Sequence, residues 1–166
     1  MSVAALLDRA LDLGIMFATA ESCTGGLIAA ALTDIPGSSD VFDRGFVTYT
    51  NKAKQDMLGV TGNTLDRYGA VSEQVAREMA TGALARSAAQ VAVSVTGIAG
   101  PGGSDFKPEG RVCFGLAIAG SPTQAETVEF GAPGRNKVRQ AARDHALELL
   151  NRGLSLCDEK SGRTPD

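Results

Sequence analysis

Short apolar runs rich in β-forming residues alternate with helical stretches along almost the whole chain. That alternation restricts the fold more than any other feature. Val3, Leu6, Leu7, Ala10 and Leu11 recur at helical spacing, and Gly14 follows as a stop signal. Residues 15–20 then read as a buried strand, 21–26 as a polar turn with two glycines, and 27–32 as an Ala-rich helix. A Pro-Gly break at 36–37 precedes a strand over 45–50, and short helices follow over 52–58 and 61–68. Ser72 is placed to cap a long helix over 73–88. Residues 91–96 form a strand that runs straight into a loop over 97–104 bearing four glycines. A strand over 111–119, an alternating antiparallel neighbour over 123–130 and a last helix over 136–150 complete the order. Interleaving of this kind predicts an α/β domain: a three-layer α/β/α sandwich on a mixed, mostly parallel sheet. The domain is expected to span residues 1–152, and the polar stretch 153–166 to be a flexible tail.

Composition narrows the chemistry. A length of 166 residues with 43% apolar content suits one domain with a real core. The formal net charge of -3 and pI near 5.2 argue against direct nucleic-acid contact, which calls for a basic face. No apolar run approaches the length needed to span a bilayer, and Asp8, Arg9 and Asp12 spoil any leader-like N-terminus. The expected location is therefore the cytoplasm. Cys23, Cys113 and Cys157 form neither a disulfide framework nor a metal pair. With a single His, at 145, no zinc or iron site and no metal cofactor is expected. His145 itself reads as an ordinary helix residue.

Three loops fall where strands of an open α/β sheet give way to helices, the usual place for a site. The first, Ala-Glu-Ser-Cys-Thr-Gly-Gly over residues 20–26, carries Ser22 and Cys23 at the turn. Backbone N–H groups of Thr24, Gly25 and Gly26 would point from the start of the next helix at an oxyanion or a phosphate. On the residues alone, this turn is either such a site or a simple helix cap. The second holds Tyr49, Asn51, Lys52 and Lys54. The two lysines are two apart, so on a helix they face different ways. A buried one would lose its proton readily and serve as base to a Ser hydroxyl; two surface lysines are the plain alternative. The third is the glycine loop after Thr96, in which Gly97 and Gly100 allow a ligand close to the backbone. Three cations at 135, 137 and 139 open the last helix against its dipole, which suits an anionic partner or a solvated face.

Taken together the motifs are more specific. The turn at 20–26, Asp-Ile-Pro-Gly-Ser-Ser at 34–39, Gly-Phe-Val-Thr-Tyr-Thr-Asn at 45–51 with Ala53 and Lys54, Gly-Ala-Val-Ser-Glu at 69–73, and Val-Thr-Gly-Ile-Ala-Gly-Pro at 95–101 with Lys107, Pro108 and Gly110 occur in one order. This pattern strongly resembles the C-terminal domain of the competence-damage-inducible protein CinA, the family of nicotinamide-mononucleotide deamidases. The resemblance runs from about residue 3 to residue 150. It implies hydrolysis of nicotinamide mononucleotide to nicotinic acid mononucleotide and ammonia, without metal or cofactor, by a homodimer. In many members the domain follows a larger one, and the expectation here is the stand-alone form. The resemblance casts Ser22 as nucleophile and Lys54, not Lys52, as its partner, with Tyr49 and Thr96 assisting. It also implies an arginine for the substrate, which aligns best with Arg135. Gly134 stands where the family has an acidic residue, so Arg139 is the substitute. Cys23, next to Ser22, is the rival nucleophile, though no His is placed to activate it. A nucleotide-binding or regulatory module without catalysis is the rival function.

Overall fold

The computed structural model describes residues 1–104 and 106–162. Five strands form one sheet: β1 (Phe17–Glu21), β2 (Phe42–Val47), β3 (Val91–Gly97), β4 (Arg111–Ile118) and β5 (Gln124–Glu129), in the order β2-β1-β3-β4-β5. β1 is parallel to both β2 and β3, while β4 is antiparallel to β3 and β5 to β4. The sheet is thus mixed, and β4 alone runs against the other strands. Among the described residues six α-helices cover it: α1 (Val3–Leu13), α2 (Leu27–Thr33), α3 (Asn51–Leu58), α4 (Gly62–Tyr68), α5 (Glu73–Ala85) and α6 (Arg135–Ser161).

Side-chain alternation along the strands builds two unlike faces. Phe17, Val91, Val93, Val95, Phe114, Leu116 and Ile118 pack with α1, α2 and α6. Ala18, Ala20, Ala92 and Ala117 pack on the other side with Leu58, Leu65 and the apolar stripe of α5. These small residues let α5 lie very close to the sheet. A Cβ on Gly115 would stand 2.4 Å from the Ala76 carbonyl oxygen, and the Ser94 hydroxyl donates to that same oxygen at 2.5 Å. Any larger side chain at Gly115 must push α5 outward. The α3–α5 layer therefore rests on a shallow floor, and the ends of β1 and β3 open beneath it.

Helix boundaries follow local chemistry. Ser2, Thr50, Thr61 and Ser72 each accept an amide bond from the first turn of the helix they precede. Gly14 and Gly59 end α1 and α3 in the left-handed conformation.

Three expectations need correction. β2 lies three residues earlier than 45–50, because Thr50 leaves the sheet to cap α3. α5 stops at Ala85, short of residue 88. The expected tail from 153 is instead the continuation of α6, which runs unbroken to Ser161. Gly153 is a close-packing residue within it, since a Cβ there would meet Val91 at 2.7 Å. Leu154 extends the buried stripe of Leu149 and Leu150 by one more turn. Residues 163–166 of that expected tail lie outside the described residues.

Candidate active site

Parallel strands β1, β2 and β3 present their carboxyl ends on one edge, and the chemistry-bearing loops meet there. Ser22 follows β1 and keeps the strand pairing for one more residue, its amide donating to Val95 O at 3.0 Å. Lys54 lies in the second turn of α3. Its Nζ is 3.0 Å from Ser22 Oγ, 2.9 Å from Thr48 O and 3.4 Å from Tyr49 O. Both side chains are covered, Ser22 at 8% exposure and Lys54 at 1%. No carboxylate pairs with Lys54 among the described residues. Burial therefore disfavours the ammonium and brings its pKa down from 10.5 to about 8. Lys52, two residues earlier, is an exposed lysine paired with Asp56 at 3.0 Å. The helix thus separates the two lysines as spacing required, and it buries Lys54.

The two carbonyls set the direction of this amine. A neutral lysine has two N–H groups and one lone pair. Protonated, Lys54 Nζ donates to Ser22 Oγ as well as to Thr48 O and Tyr49 O; neutral, with its two N–H groups on the carbonyls, it would turn its lone pair to the Ser22 hydroxyl.

The turn after Ser22 is fixed mainly by its own bonds. Gly25 N–H donates to Ser22 O at 3.0 Å. Glu21, to which the sequence reading assigns no role, sends its carboxyl group beneath α2 and accepts from Gly26, Ile28 and Ala29 amides at 3.3, 2.9 and 3.1 Å. This corrects the expectation that the Thr24, Gly25 and Gly26 amides all face a ligand. Those of Gly25 and Gly26 are committed inside the protein, and only that of Thr24 stays outside these bonds. The signal was legible in principle: an acidic residue closing an apolar strand, just before a helix start, is a capping candidate. Cys23 is 5% exposed and packs in the core on the α2–α6 side. It also borders the site cavity, but burial raises its thiol pKa to about 11 and disfavours the thiolate.

The two arginines have different duties. Arg139 donates to Cys23 O at 3.0 Å and Thr24 O at 3.3 Å, bracing α6 against the turn. Its Nε and Nη2 are held by the protein's own carbonyls. Arg135, exposed at the start of α6, donates to Gly100 O at 2.7 Å and to Tyr49 Oη at 2.9 Å. Both acceptors are neutral. Gly134 offers no side-chain cap to α6 and adopts φ +109.

Ser22, Tyr49, Asn51, Lys54, Thr96 and Arg135 line a cavity of about 170 Å³. It shares Ala70, Val71, Gly97, Ala99 and Arg135 with a groove of about 320 Å³ along the glycine loop, which also meets Gly100 and Lys107. Thr96 is buried and its hydroxyl donates to Ala70 O at 2.8 Å. Tyr49 is 58% exposed, and it serves Lys54 through its carbonyl while its hydroxyl meets Arg135. Neither side chain hydrogen-bonds Lys54: the Thr96 hydroxyl holds the 70–71 segment and the Tyr49 hydroxyl bridges to Arg135. Lys107 ties the glycine loop to the same region through Tyr68 O and Val71 O. Thr50 caps α3, so Asn51 is free to line the cavity one turn before Lys54.

Elsewhere, His145 rests 4.5 Å from the Phe114 ring and 3.7 Å from a Glu126 oxygen, far from this edge in role. Among the described residues no group of three or more His, Cys, Asp and Glu side chains is arranged to hold a metal ion, and no helix is long and apolar enough to cross a membrane.

Fold and site together define an α/β domain with a buried Ser–Lys pair at the carboxyl edge of its parallel strands. The chain matches the CinA C-terminal domain over residues 2–154, and it belongs to that family. The crystal structure of the competence/damage inducible protein CihA from Agrobacterium tumefaciens superposes with a TM-score of 0.86 at 52% identity, covering 92% of this chain and 95% of that one. A CinA-like protein of Chlorobium phaeobacteroides (strain BS1) is 55% identical over 147 residues, 85% of this chain and 34% of that protein. The nicotinamide-nucleotide amidohydrolase PncC of Enterobacter agglomerans is 68% identical over 99 residues, 59% of this chain and 60% of that protein. The chain spans about a third of the length of the first curated relatives it matches.

Proposed function

We propose that this chain is an amidohydrolase that converts nicotinamide mononucleotide to nicotinic acid mononucleotide and ammonia. One observation carries the reading: the buried Lys54 amine, unpaired with any described carboxylate, lies 3.0 Å from a covered Ser22 hydroxyl inside a cavity. The name of the Enterobacter agglomerans relative supports the substrate.

An amide is a weak electrophile with a poor leaving group, so it needs an activated nucleophile and a proton for the departing nitrogen. Ser22 Oγ attacks the carboxamide carbon as neutral Lys54 takes its proton. The oxyanion forms, and the Thr24 amide is the donor left for it among the three at the turn. Lys54 then gives the proton to the nitrogen, the C–N bond breaks and ammonia leaves. Water, deprotonated by Lys54, attacks the acyl-Ser22 ester, and the proton returns to Ser22 as the acid is released. The small cavity suits the ring and its carboxamide. The ribose phosphate extends into the glycine-loop groove toward Arg135, whose guanidinium meets only neutral oxygens and is open to a charge-assisted contact.

The test is ammonia release from nicotinamide mononucleotide by the purified chain, with Ser22→Ala and Lys54→Ala beside it. Release lost in both variants supports the amidase and its pair. Binding of the nucleotide without release would favour the non-catalytic module. Activity that survives Ser22→Ala would remove Ser22 as the nucleophile.

A further inference from the structure

Glu21 is the one buried carboxyl group among the described residues, at 1% exposure. Taking a carboxyl group out of water is unfavourable unless hydrogen bonds replace the lost hydration. No described lysine or arginine pairs with it. Instead three amides at the start of α2 donate to its two oxygens, two to Oε1 and one to Oε2. Helix capping alone does not require this device, since Ser2, Thr50, Thr61 and Ser72 cap four other helices with neutral hydroxyls.

Its position in the chain explains the difference. Glu21 immediately precedes Ser22, and alternation sends the two side chains to opposite faces of the sheet. The carboxyl group grips α2 on one face while Ser22 Oγ meets Lys54 on the other. The backbone between them is pinned on both flanks: Ser22 N–H donates to Val95 O at 3.0 Å, and Thr48 N–H donates to Glu21 O at 2.8 Å. Thr48 in turn offers its own carbonyl to Lys54 at 2.9 Å. Releasing the carboxyl group would free α2 and the turn that follows Ser22, while leaving Lys54 untouched on α3.

We infer that Glu21 is a positioning residue, holding Ser22 Oγ in line with Lys54 from the far side of the sheet. It touches neither substrate nor reacting atoms. By occupying the start of α2, it also leaves that helix end nothing to offer an anionic ligand. Its loss should therefore lower turnover and leave substrate affinity alone. The inference rests on Ser22 as the nucleophile, and its test must fail separately from the choice of substrate.

The experiment compares the intact chain with Glu21→Gln and Glu21→Ala in two assays. One is ammonia release, giving kcat and KM. The other is the rate of labelling by a fluorophosphonate, which reads Ser22 reactivity without any nucleotide, with Ser22→Ala as blank. Melting curves give the folded fraction for normalisation. Glu21→Gln keeps one acceptor oxygen and is expected to label and turn over about tenfold more slowly; Glu21→Ala, with none, about a hundredfold. KM should stay within about twofold, and the midpoint of the kcat pH profile should stay near that of the intact chain, because Lys54 is undisturbed. A Glu21→Gln protein that melts lower, yet labels and turns over normally per folded molecule, would reduce Glu21 to a structural cap and overturn the inference. A raised KM with normal kcat would overturn it too. Labelling without ammonia release by the intact chain would refute the substrate and leave Glu21 to be judged on labelling alone. An intact chain that does neither would refute Ser22 as nucleophile, and Glu21 with it.

Discussion

Two loops leave neighbouring parallel strands at the same edge, yet they are built on opposite plans. The turn after β1 is buried, braced by Arg139 from α6 and by Glu21 from beneath. The loop after β3 is glycine-rich and lines an open groove, joined to its surroundings through Lys107 and Arg135. A reacting oxygen must be held to within a fraction of an ångström, and that demands a rigid support. A ligand's remote end needs only a shaped, polar channel. The contrast divides chemistry from recognition, and it makes distinct kinetic demands: damage to the turn should appear in kcat, and damage to the loop in KM.

The sharpest break of that division is Lys54→Arg. Arginine keeps the positive charge and the reach, but it does not deprotonate in a protein. A merely electrostatic Lys54 would survive the change. A base would not, and kcat should fall about 10³-fold or more, as measured by ammonia release at saturating substrate. The pH dependence follows from the same amine. Turnover should rise with pH through about 8, the value to which burial brings Lys54, and level off above it.

Stability should report that burial independently of activity. Below pH 8 both folded and unfolded chains carry the proton, and the cost of burying the charge is constant. Between about 8 and 10.5 only the unfolded chain binds it, so Lys54 makes the fold more stable as pH rises; above 10.5 the gain is complete. The span is worth about 3 kcal/mol. Urea unfolding of the intact chain and Lys54→Met at pH 7 and pH 11 should show the gap between them move by that order, in favour of the intact chain at high pH. A gap independent of pH would mean that Lys54 titrates normally, and the pair would lose its base.

On the loop side, Arg135→Met should raise KM for a phosphorylated substrate by about tenfold, the worth of one charge-assisted hydrogen bond. KM for the same amide without its phosphate should hardly move. If kcat falls instead, Arg135 belongs with the turn through its bond to Tyr49, and the division of labour is wrong at that point.

The strand–turn–helix order and the location of the three loops were legible in the sequence, because periodicity and glycine placement are local signals. The choice of Lys54 over Lys52 came from the motif resemblance; spacing showed only that the two face different ways. The duties of the other polar residues were hidden for one reason: their partners are distant in the chain. Arg139 answers carbonyls more than a hundred residues away, Thr96 answers Ala70, and Gly153 is dictated by Val91. The end of the final helix was hidden for the same reason: its last turns are polar in composition, and only the packing of Gly153 on Val91 and the burial of Leu154 show that they stay on the sheet. Glu21 was the exception. Its partners are five to eight residues on, and an acidic residue before a helix start is a local capping signal.

The smallest expected effect is also the control for the largest. Lys52 shares α3 with Lys54, has the same side chain, and pairs with Asp56 at the surface, its own side chain 83% exposed. Exposed pairs of this spacing contribute about 0.3–0.5 kcal/mol, and high salt removes much of that. Lys52→Ala should therefore leave kcat and KM unchanged and shift urea unfolding by less than about 0.5 kcal/mol. Ammonia assays and unfolding curves at low and high salt would check both. A large loss of turnover on Lys52→Ala would show that the net charge of α3 tunes the site, and that burial of Lys54 is not enough to explain its reactivity. Unchanged turnover, beside a Lys54→Arg variant with almost none, would locate the difference in two residues' worth of helix rotation.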